Sequence, residues 1–172
     1  SRIQYALKGH METLTEAIRS CITELIRSLC EKAGVTPERI RTVSIVGNPA
    51  MQQLFLGILP DNLAQIPFAP VLTQGRLEKA KDYLPLCGNG ELLTVPDISG
   101  FVGADTVACI LATGLNRQEE LALLVDIGTN GEMVLGNKRR MVVCSAAAGP
   151  ALEGAHIHCG MRGESGAIDH VR

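Results

Sequence analysis

The stretch Val125-Asp126-Ile127-Gly128-Thr129-Asn130-Gly131-Glu132 decides the fold of this 172-residue chain. It continues the apolar run 121–125, which predicts a buried strand at the centre of a sheet that is covered on both faces. Apolar segments at 132–135 and 140–144 predict the next two strands. Because an Asn-Gly pair between apolar runs is a strong hairpin signal, residues 128–131 are predicted to form the first turn and 136–138 the second.

The first turn carries residues that suit an anion. Gly128 lacks the Cβ that would keep a phosphate oxygen away from the backbone, and successive N–H groups of such a turn can point into one concavity. Thr129 adds a hydroxyl donor, and Asp126 at the strand end can hold a hydrated Mg²⁺ or orient an attacking water. A plain hairpin whose turn is Asn130-Gly131 explains the same residues, so the spacing alone leaves both interpretations open.

The rest of the chain has the patterns of an α/β protein. Apolar residues recur at three- and four-residue steps between Met11 and Leu29, which predicts a long amphipathic helix that ends at Gly34. The same reasoning predicts strands at 42–46 and 91–98, helices at 50–56, 79–84, 106–112 and 150–158, and a loop at 60–75. The polar segment 113–120, which contains Gly114, is the best candidate for a boundary between two lobes.

Composition limits the classes of partner. The formal net charge is -2 and the longest basic run is the triplet Lys138-Arg139-Arg140, whereas nucleic acids and membrane surfaces require a concentrated positive face. No apolar stretch approaches the ~18 residues that span a bilayer, and no leader pattern is visible. We therefore expect a cytoplasmic protein that binds neither nucleic acid nor membrane. The chain starts at Ser1 rather than Met, so we expect it to be a piece of a longer protein.

Several chemistry-bearing residues are explained more simply without a site. The six cysteines lack metal-ligand spacing and are interpreted as small buried residues in a reducing compartment. His156 and His158 are two apart on a predicted helix, so they point to different sides. Ser145 lacks the Gly-x-Ser-x-Gly context of a hydrolase nucleophile. Three residues keep two interpretations, as a capping or solvated residue or as a cleft residue: Asn48, Glu153 and Arg162.

Sequence blocks in one order give the chain a family resemblance. An Asp-x-Gly-Thr turn between hairpin strands resembles the phosphate motifs of the superfamily that contains actin, sugar kinases and heat-shock chaperone ATPases. The blocks are Val46-Gly47-Asn48-Pro49-Ala50-Met51, Pro67-Phe68-Ala69-Pro70, Gly100-Phe101-Val102-Gly103-Ala104-Asp105, 126–132, 148–155, Gly160-Met161-Arg162 and Gly166-Ala167-Ile168. Together they resemble the C-terminal ATPase region of the reductive activators of corrinoid proteins, which carry a 2Fe-2S ferredoxin domain.

The resemblance implies an α/β, ribonuclease-H-like (actin-like ATPase) fold, of which this chain is a fragment. Residues 1–115 would be the C-terminal part of the first lobe, and residues 116–172 the N-terminal part of the second lobe with its phosphate-binding hairpin. Asp126 would be the catalytic residue and would hold Mg²⁺ through water. The nucleotide-binding residues would be Gly128, Thr129, Asn130, Gly131 and Asp105. For Asp105, a simple cap on the helix that follows explains the residue equally well.

The resemblance also implies a reaction. ATP hydrolysis, with ATP and Mg²⁺ as cofactors, would be coupled to electron transfer from a 2Fe-2S cluster in a domain outside this chain to a Co(II) corrinoid. The partner would be the corrinoid protein of a methyltransferase system. The first phosphate turn, the adenosine-binding glycines and the cluster cysteines are not in this stretch, so it is expected to be inactive alone. The alternative is a non-catalytic docking or dimerisation module that forms a homodimer, and a small-molecule kinase ranks last.

Overall fold

The computed structural model describes residues 1–86, 88–149 and 165–166. The predicted helix 150–158 lies outside these residues, and so do His156, His158, Glu153 and Arg162. The chain forms two compact units, Ser1–Cys109 and Ile110–Arg172. The elements of the described part are α1 (Arg2–Tyr5), a π-helical segment (Ala6–His10), α2 (Met11–Ala33), β1 (Thr42–Ile45), α3 (Pro49–Leu56), β2 (Arg76–Lys79), β3 (Glu91–Thr94), α4 (Ala104–Thr113), β4 (Ala122–Ile127), β5 (Asn130–Gly136) and β6 (Met141–Ala147).

Helices α2 and α3 end at the glycines that the sequence predicts. Helix α2 stops at Gly34, which has φ +64°, a conformation that costs glycine little. Helix α3 begins with Pro49 in its first turn, and the Asn48 side chain accepts a hydrogen bond from the Met51 N–H at 2.9 Å. Of the two interpretations of Asn48, the structure therefore shows the helix cap.

The sheet of unit 1 has the order β1-β3-β2, with β1 parallel and β2 antiparallel to β3. Strand β2 lies between the predicted loop at 60–75 and the predicted helix at 79–84, and it includes the first residue of that helix. That helix prediction is wrong: only a single 3-10 turn, Ala80–Asp82, follows the strand. Pairing with β3 supplies hydrogen bonds that local propensity cannot anticipate. The core joins Phe55 of α3 to Leu92 of β3 and to the inner face of α2.

Unit 2 contains the predicted hairpin and its third strand in the order β4-β5-β6, all antiparallel. The register places Leu124 opposite Val134 and Val134 opposite Val143. These three side chains pack with Ile110 and Leu115 as the core of the unit.

Strand β4 differs from its predicted position at the centre of a doubly covered sheet. It is an end strand of the described three-stranded sheet. Every second residue is exposed, from Leu123 at 60% and Val125 at 49% to Ile127 at 85%. Among the described residues only the face of Leu124 has a packed layer. A continuous apolar strand is typical of a sheet that is covered on both faces, whereas the described residues cover only one face of β4.

Within the described residues, every helix is too short or too polar to cross a bilayer.

Candidate functional site

The bend of the β4–β5 hairpin is exposed and tight. Strand β4 ends at Ile127, which is paired with Gly131, and the residues between them face solvent. The N–H of Gly128 donates to the carbonyl of Asn130 at 3.0 Å, and the carbonyl of Thr129 accepts from the N–H of Gly149 at 2.8 Å. Asn130 and Gly131 already belong to β5, so the interpretation of Asn130-Gly131 as the turn itself is wrong.

Gly128 has room for a side chain. A Cβ built on it would meet only the Asn130 carbonyl oxygen, at 3.6 Å, which is an ordinary contact. Its N–H is bonded inside the bend, so the Gly128 N–H is not one of the N–H groups of the turn that point outward in this structure. The absence of a Cβ at Gly128 still favours a ligand at this position, because a ligand atom can approach a glycine backbone closely.

Asp126 belongs to a polar row that crosses all three strands. It lies opposite Glu132, and Glu132 lies opposite Ser145. The Ser145 hydroxyl donates to Glu132 Oε1 at 2.9 Å. The row is half-buried and follows directly on the apolar row of Leu124. Sequence reasoning did not select Glu132, although its alternation with Val134 places it on the same face.

The polar row suits a magnesium ion that keeps several water ligands better than one that is coordinated only by protein groups. Within 1–86 and 88–149, no three His, Cys, Asp or Glu side chains converge as a metal cluster. Magnesium is usually held by one or two carboxylates together with water and substrate phosphates. Asp126 and Glu132, side by side at the exposed end of the hairpin, offer those one or two ligands.

The other predicted site residue, Asp105, lies in unit 1 at the start of α4. Its Oδ1 accepts the N–H of Thr106 at 2.9 Å. A Cβ on Gly103 would lie 2.6 Å from the Gly47 carbonyl oxygen and 2.8 Å from Asp105 Oδ1. The block at 100–105 is therefore packed directly against the block at 46–51.

A second close approach brings in the block at 67–70. A Cβ on Gly100 would lie 1.7 Å from the carbonyl oxygen of Phe68. The rings of Phe68 and Phe101 are in tilted contact, with centroids 5.2 Å apart. Three sequence blocks that are up to 59 positions apart thus meet in unit 1, and their glycines permit the contacts.

Asp97 is a buried acid that sequence reasoning missed. Its side chain is 6% exposed, and its Oδ1 accepts the N–H of Ala104 at 3.1 Å. Its Oδ2 is buried without a hydrogen-bond partner. Burial raises the pKa of Asp97 to about 6, against a smaller lowering by the Ala104 N–H, and the charge of Asp105 raises it further. The only available signal was an Asp directly after a strand and a proline.

An acidic strand end before an exposed glycine bend, on a three-stranded antiparallel sheet, resembles the phosphate hairpin of an actin-like ATPase domain. The family comparison agrees. The model described as the RACo middle region matches residues 1–118, and the model described as the C-terminal domain of RACo, the ASKHA domain, matches residues 120–172. The chain belongs to the RACo family, and its fold is a fragment of the actin-like ATPase fold.

Individual relatives point the same way. The chain is 40% identical over 174 residues to the corrinoid activation enzyme RamQ of Eubacterium limosum, covering 99% of this chain and 29% of that protein. It is 33% identical over 164 residues to the [Co(II) methylated amine-specific corrinoid protein] reductase of Methanosarcina barkeri, covering 88% of this chain and 30% of that protein. A solved reductive activator for corrinoid, iron-sulfur protein superposes with TM-score 0.84 at 39% identity, over 97% of this chain and 27% of that one. The chain thus spans less than a third of each relative.

Proposed function

We propose that this chain is part of an ATP-dependent reductive activator of corrinoid proteins. ATP hydrolysis would be coupled to electron transfer from a 2Fe-2S domain to a Co(II) corrinoid, and the partner would be the corrinoid protein of a methyltransferase system. Family membership and the names of the relatives, which act on corrinoid proteins, support this proposal. We place the protein in the cytoplasm, because its cysteines lack the spacing of a disulfide framework or a metal site. Cys30 is buried as predicted, whereas the prediction of burial is wrong for Cys21 and Cys144, which are exposed.

The observation that carries the proposal is a glycine that the fold does not require. Gly128 stands on an exposed bend with space for a methyl group. A ligand atom that approaches the backbone at this point would explain why residue 128 is a glycine. The residues around it, Thr129, Asn130 and Gly131, would border the phosphate.

The polar row supplies the chemistry beside the bend. ATP with magnesium brings the phosphoryl group and the charge that offsets it. Asp126 would hold water of the magnesium shell or orient the attacking water. Glu132, held by the Ser145 hydroxyl, would keep a second carboxylate at a fixed place beside it. Asp126 is half-buried, so its carboxylate is partly shielded from bulk water and interacts more strongly with a nearby cation.

The test uses the full-length protein with Mg-ATP. We expect the amides of 128–131 to gain protection from exchange when Mg-ATP is added, and Asp126→Asn to reduce ATP turnover about 100-fold or more. Asp82→Asn, which changes a carboxylate in the 3-10 turn of unit 1, is the matched control and should keep full turnover. Unchanged exchange at the bend together with full turnover by Asp126→Asn would contradict the nucleotide role.

The alternative function is a docking module that forms a homodimer. The apolar face of the β4–β6 sheet favours it, because Leu123, Val125 and Ile127 are exposed side by side with Leu135. A second copy could cover this face. Sedimentation of the full-length protein separates the two functions: a dimer that Mg-ATP does not alter, without ATP turnover, would support the module.

The division into lobes is part of the same proposal. We assign residues 1–115 to the end of the first ribonuclease-H-like lobe and 116–172 to the start of the second. The compact units divide at Cys109 and Ile110, and the family models divide between residues 118 and 120. Limited proteolysis should cut first between residues 113 and 120. A first cut inside β3 or β5 would contradict this division.

A further inference from the structure

Two like charges face each other on the hairpin of unit 2. Asp126 of β4 lies directly opposite Glu132 of β5, on the face of the sheet that carries the core of the unit. The ion pairs of the described residues both involve Glu119, so neither of the two carboxylates has a cationic partner in this part of the chain. Opposed like charges on neighbouring strands destabilise a sheet, and proteins accept such local costs at functional sites.

The two carboxyl groups differ in how they are held. The Ser145 hydroxyl donates to Glu132 Oε1 at 2.9 Å, whereas the described residues make no hydrogen bond to Glu132 Oε2 or to the Asp126 side chain. Because β6 lies on the side of β5 away from β4, the Ser145 bond turns Glu132 away from Asp126. The sheet thus presents one carboxylate that is fixed through one oxygen, and a second that no described neighbour fixes.

A fixed and an unfixed carboxylate suit different tasks beside a phosphoryl group. A group that orients an attacking water must itself hold one orientation, and a catalytic base is commonly oriented by a third group that is hydrogen-bonded to it. A carboxylate that binds the water shell of magnesium needs less support, because the ion imposes its own octahedral order on its ligands. Glu132 meets the first requirement through Ser145, and Asp126 meets the second.

We propose that Glu132 orients the attacking water and accepts its proton, and that Ser145 is the positioning residue that holds Glu132 for this step. Asp126 then serves the water shell of magnesium alone. This assignment rests on the proposed function, in which the hairpin binds Mg-ATP, and gives each carboxylate one role. All three residues lie in unit 2, and Ser145 acts through Glu132 without touching the substrate.

The reaction step is the attack of water on ATP. The water oxygen forms a bond to the γ-phosphorus, and the bond from that phosphorus to the bridging oxygen breaks, so that its electron pair leaves with ADP. One proton of the water passes to Glu132 Oε2, the oxygen that Ser145 does not occupy, and from there to solvent. The carboxylate is then ready for the next water.

The experiment measures the turnover number and the Kd of Mg-ATP in the full-length protein. We expect Glu132→Gln to lower the turnover number about 100-fold, because an amide is not a base, and to leave the Kd within about twofold of the wild type. Amide exchange in β5 should show no loss of stability, since the amide oxygen still accepts from Ser145 and the opposed charges are gone. A merely structural role would lower turnover only together with stability.

Two variants test Ser145. Ser145→Ala should lower the turnover number about tenfold with little change in the Kd, and Ser145→Thr should restore it to within about twofold, because threonine keeps the hydroxyl donor. Two controls remove the same kinds of group elsewhere in unit 2. Glu120→Gln neutralises an exposed carboxylate, and Thr113→Val removes a hydroxyl that donates to the Ile110 carbonyl at 3.3 Å. Both controls should keep full turnover.

The assignment and the proposed function fail in different ways. A wild-type protein that neither binds nor hydrolyses Mg-ATP overturns the proposed function, and the roles of Glu132 and Ser145 with it. Full turnover in Glu132→Gln, with turnover lost in Asp126→Asn, overturns the role of Glu132 alone. A Kd that rises about tenfold or more in Glu132→Gln overturns the division of roles, because Glu132 would then bind the metal. Equal turnover in Ser145→Ala and Ser145→Thr overturns the positioning role.

Discussion

Two glycines, Gly128 at the hairpin bend and Gly103 before α4, differ in the space that surrounds them. A Cβ on Gly128 would meet one oxygen at 3.6 Å, whereas a Cβ on Gly103 would meet backbone atoms of Gly47 and Asn48 at 2.6 and 2.7 Å. The fold requires the glycine at 103 and merely tolerates the one at 128. A glycine without a structural reason is therefore the better indicator of a ligand.

The largest effect that separates the two regions is on stability. We expect Gly103→Ala to cost about 3 kcal/mol, because its methyl group would overlap backbone that cannot rotate away. The opening free energy of unit 1, measured from amide exchange in β3, reports the loss. A loss below about 0.5 kcal/mol would mean that the backbone at 46–51 moves at little cost, and it would contradict the claim that the fold requires glycine at 103.

Asp97 should make the helix-start region sensitive to pH. The folded protein holds this proton more tightly than the unfolded chain, with a pKa of about 6 against an ordinary 3.8. Stability should therefore fall as the pH rises through this window, by about 2 to 3 kcal/mol. Amide exchange in β3 and α4 at several pH values measures the slope, and Asp97→Asn should flatten it. An unchanged slope in Asp97→Asn would assign the effect to other groups.

The third prediction concerns the bend. Gly128→Ala should leave the stability of unit 2 within about 0.5 kcal/mol of the wild type. It should nevertheless raise the Kd of Mg-ATP about tenfold, equivalent to about 1.4 kcal/mol, because the methyl group occupies the space of a phosphate oxygen. Titration of the full-length protein measures the Kd, with Gly88→Ala, an exposed turn glycine with nothing near its Cβ, as the control. An unchanged Kd in Gly128→Ala would contradict the proposal that a phosphate oxygen lies against the backbone at the bend.

The smallest effect belongs to the polar row. Asp126 and Glu132 are directly opposite in the register, and like charges across a strand pair are destabilising. Glu132→Gln should therefore stabilise unit 2 by about 0.5 kcal/mol, since its amide oxygen can still accept from Ser145. Amide exchange in β5 measures this gain. A loss of stability would show that the Ser145 bond to a charged acceptor outweighs the repulsion.

Local sequence patterns predicted the structure correctly where a few neighbouring residues decide it. Gly34 and Gly57 end their helices with positive φ, and Asn48 caps α3, as the residue types predicted. The hairpin between β4 and β5 was likewise located by the glycine-containing turn between two apolar runs. The ordered blocks led to the correct family.

Contacts between distant segments were harder to predict. Strand β2 was not predicted, and its last residue, Lys79, was assigned to a helix. Its partner β3 lies a dozen or more residues further on, and only pairing makes β2 a strand. The exposure of β4 was missed for the same reason, since burial depends on layers elsewhere. The roles of Asp126, Asp105 and the residues of the bend stay predictions that the experiments above address.

The amino-acid sequence by itself determined the α/β class, the helix ends, the hairpin and the family, because caps, turns and ordered blocks are written in adjacent residues. Only the tertiary structure decided that Gly103 is locked while Gly128 is free, that Glu132 and Ser145 accompany Asp126, and that Asp97 is buried against Ala104. The physical reason is that free volume, burial and the partner of a carboxyl group are properties of surfaces brought together by folding. No single segment of the sequence determines these three properties.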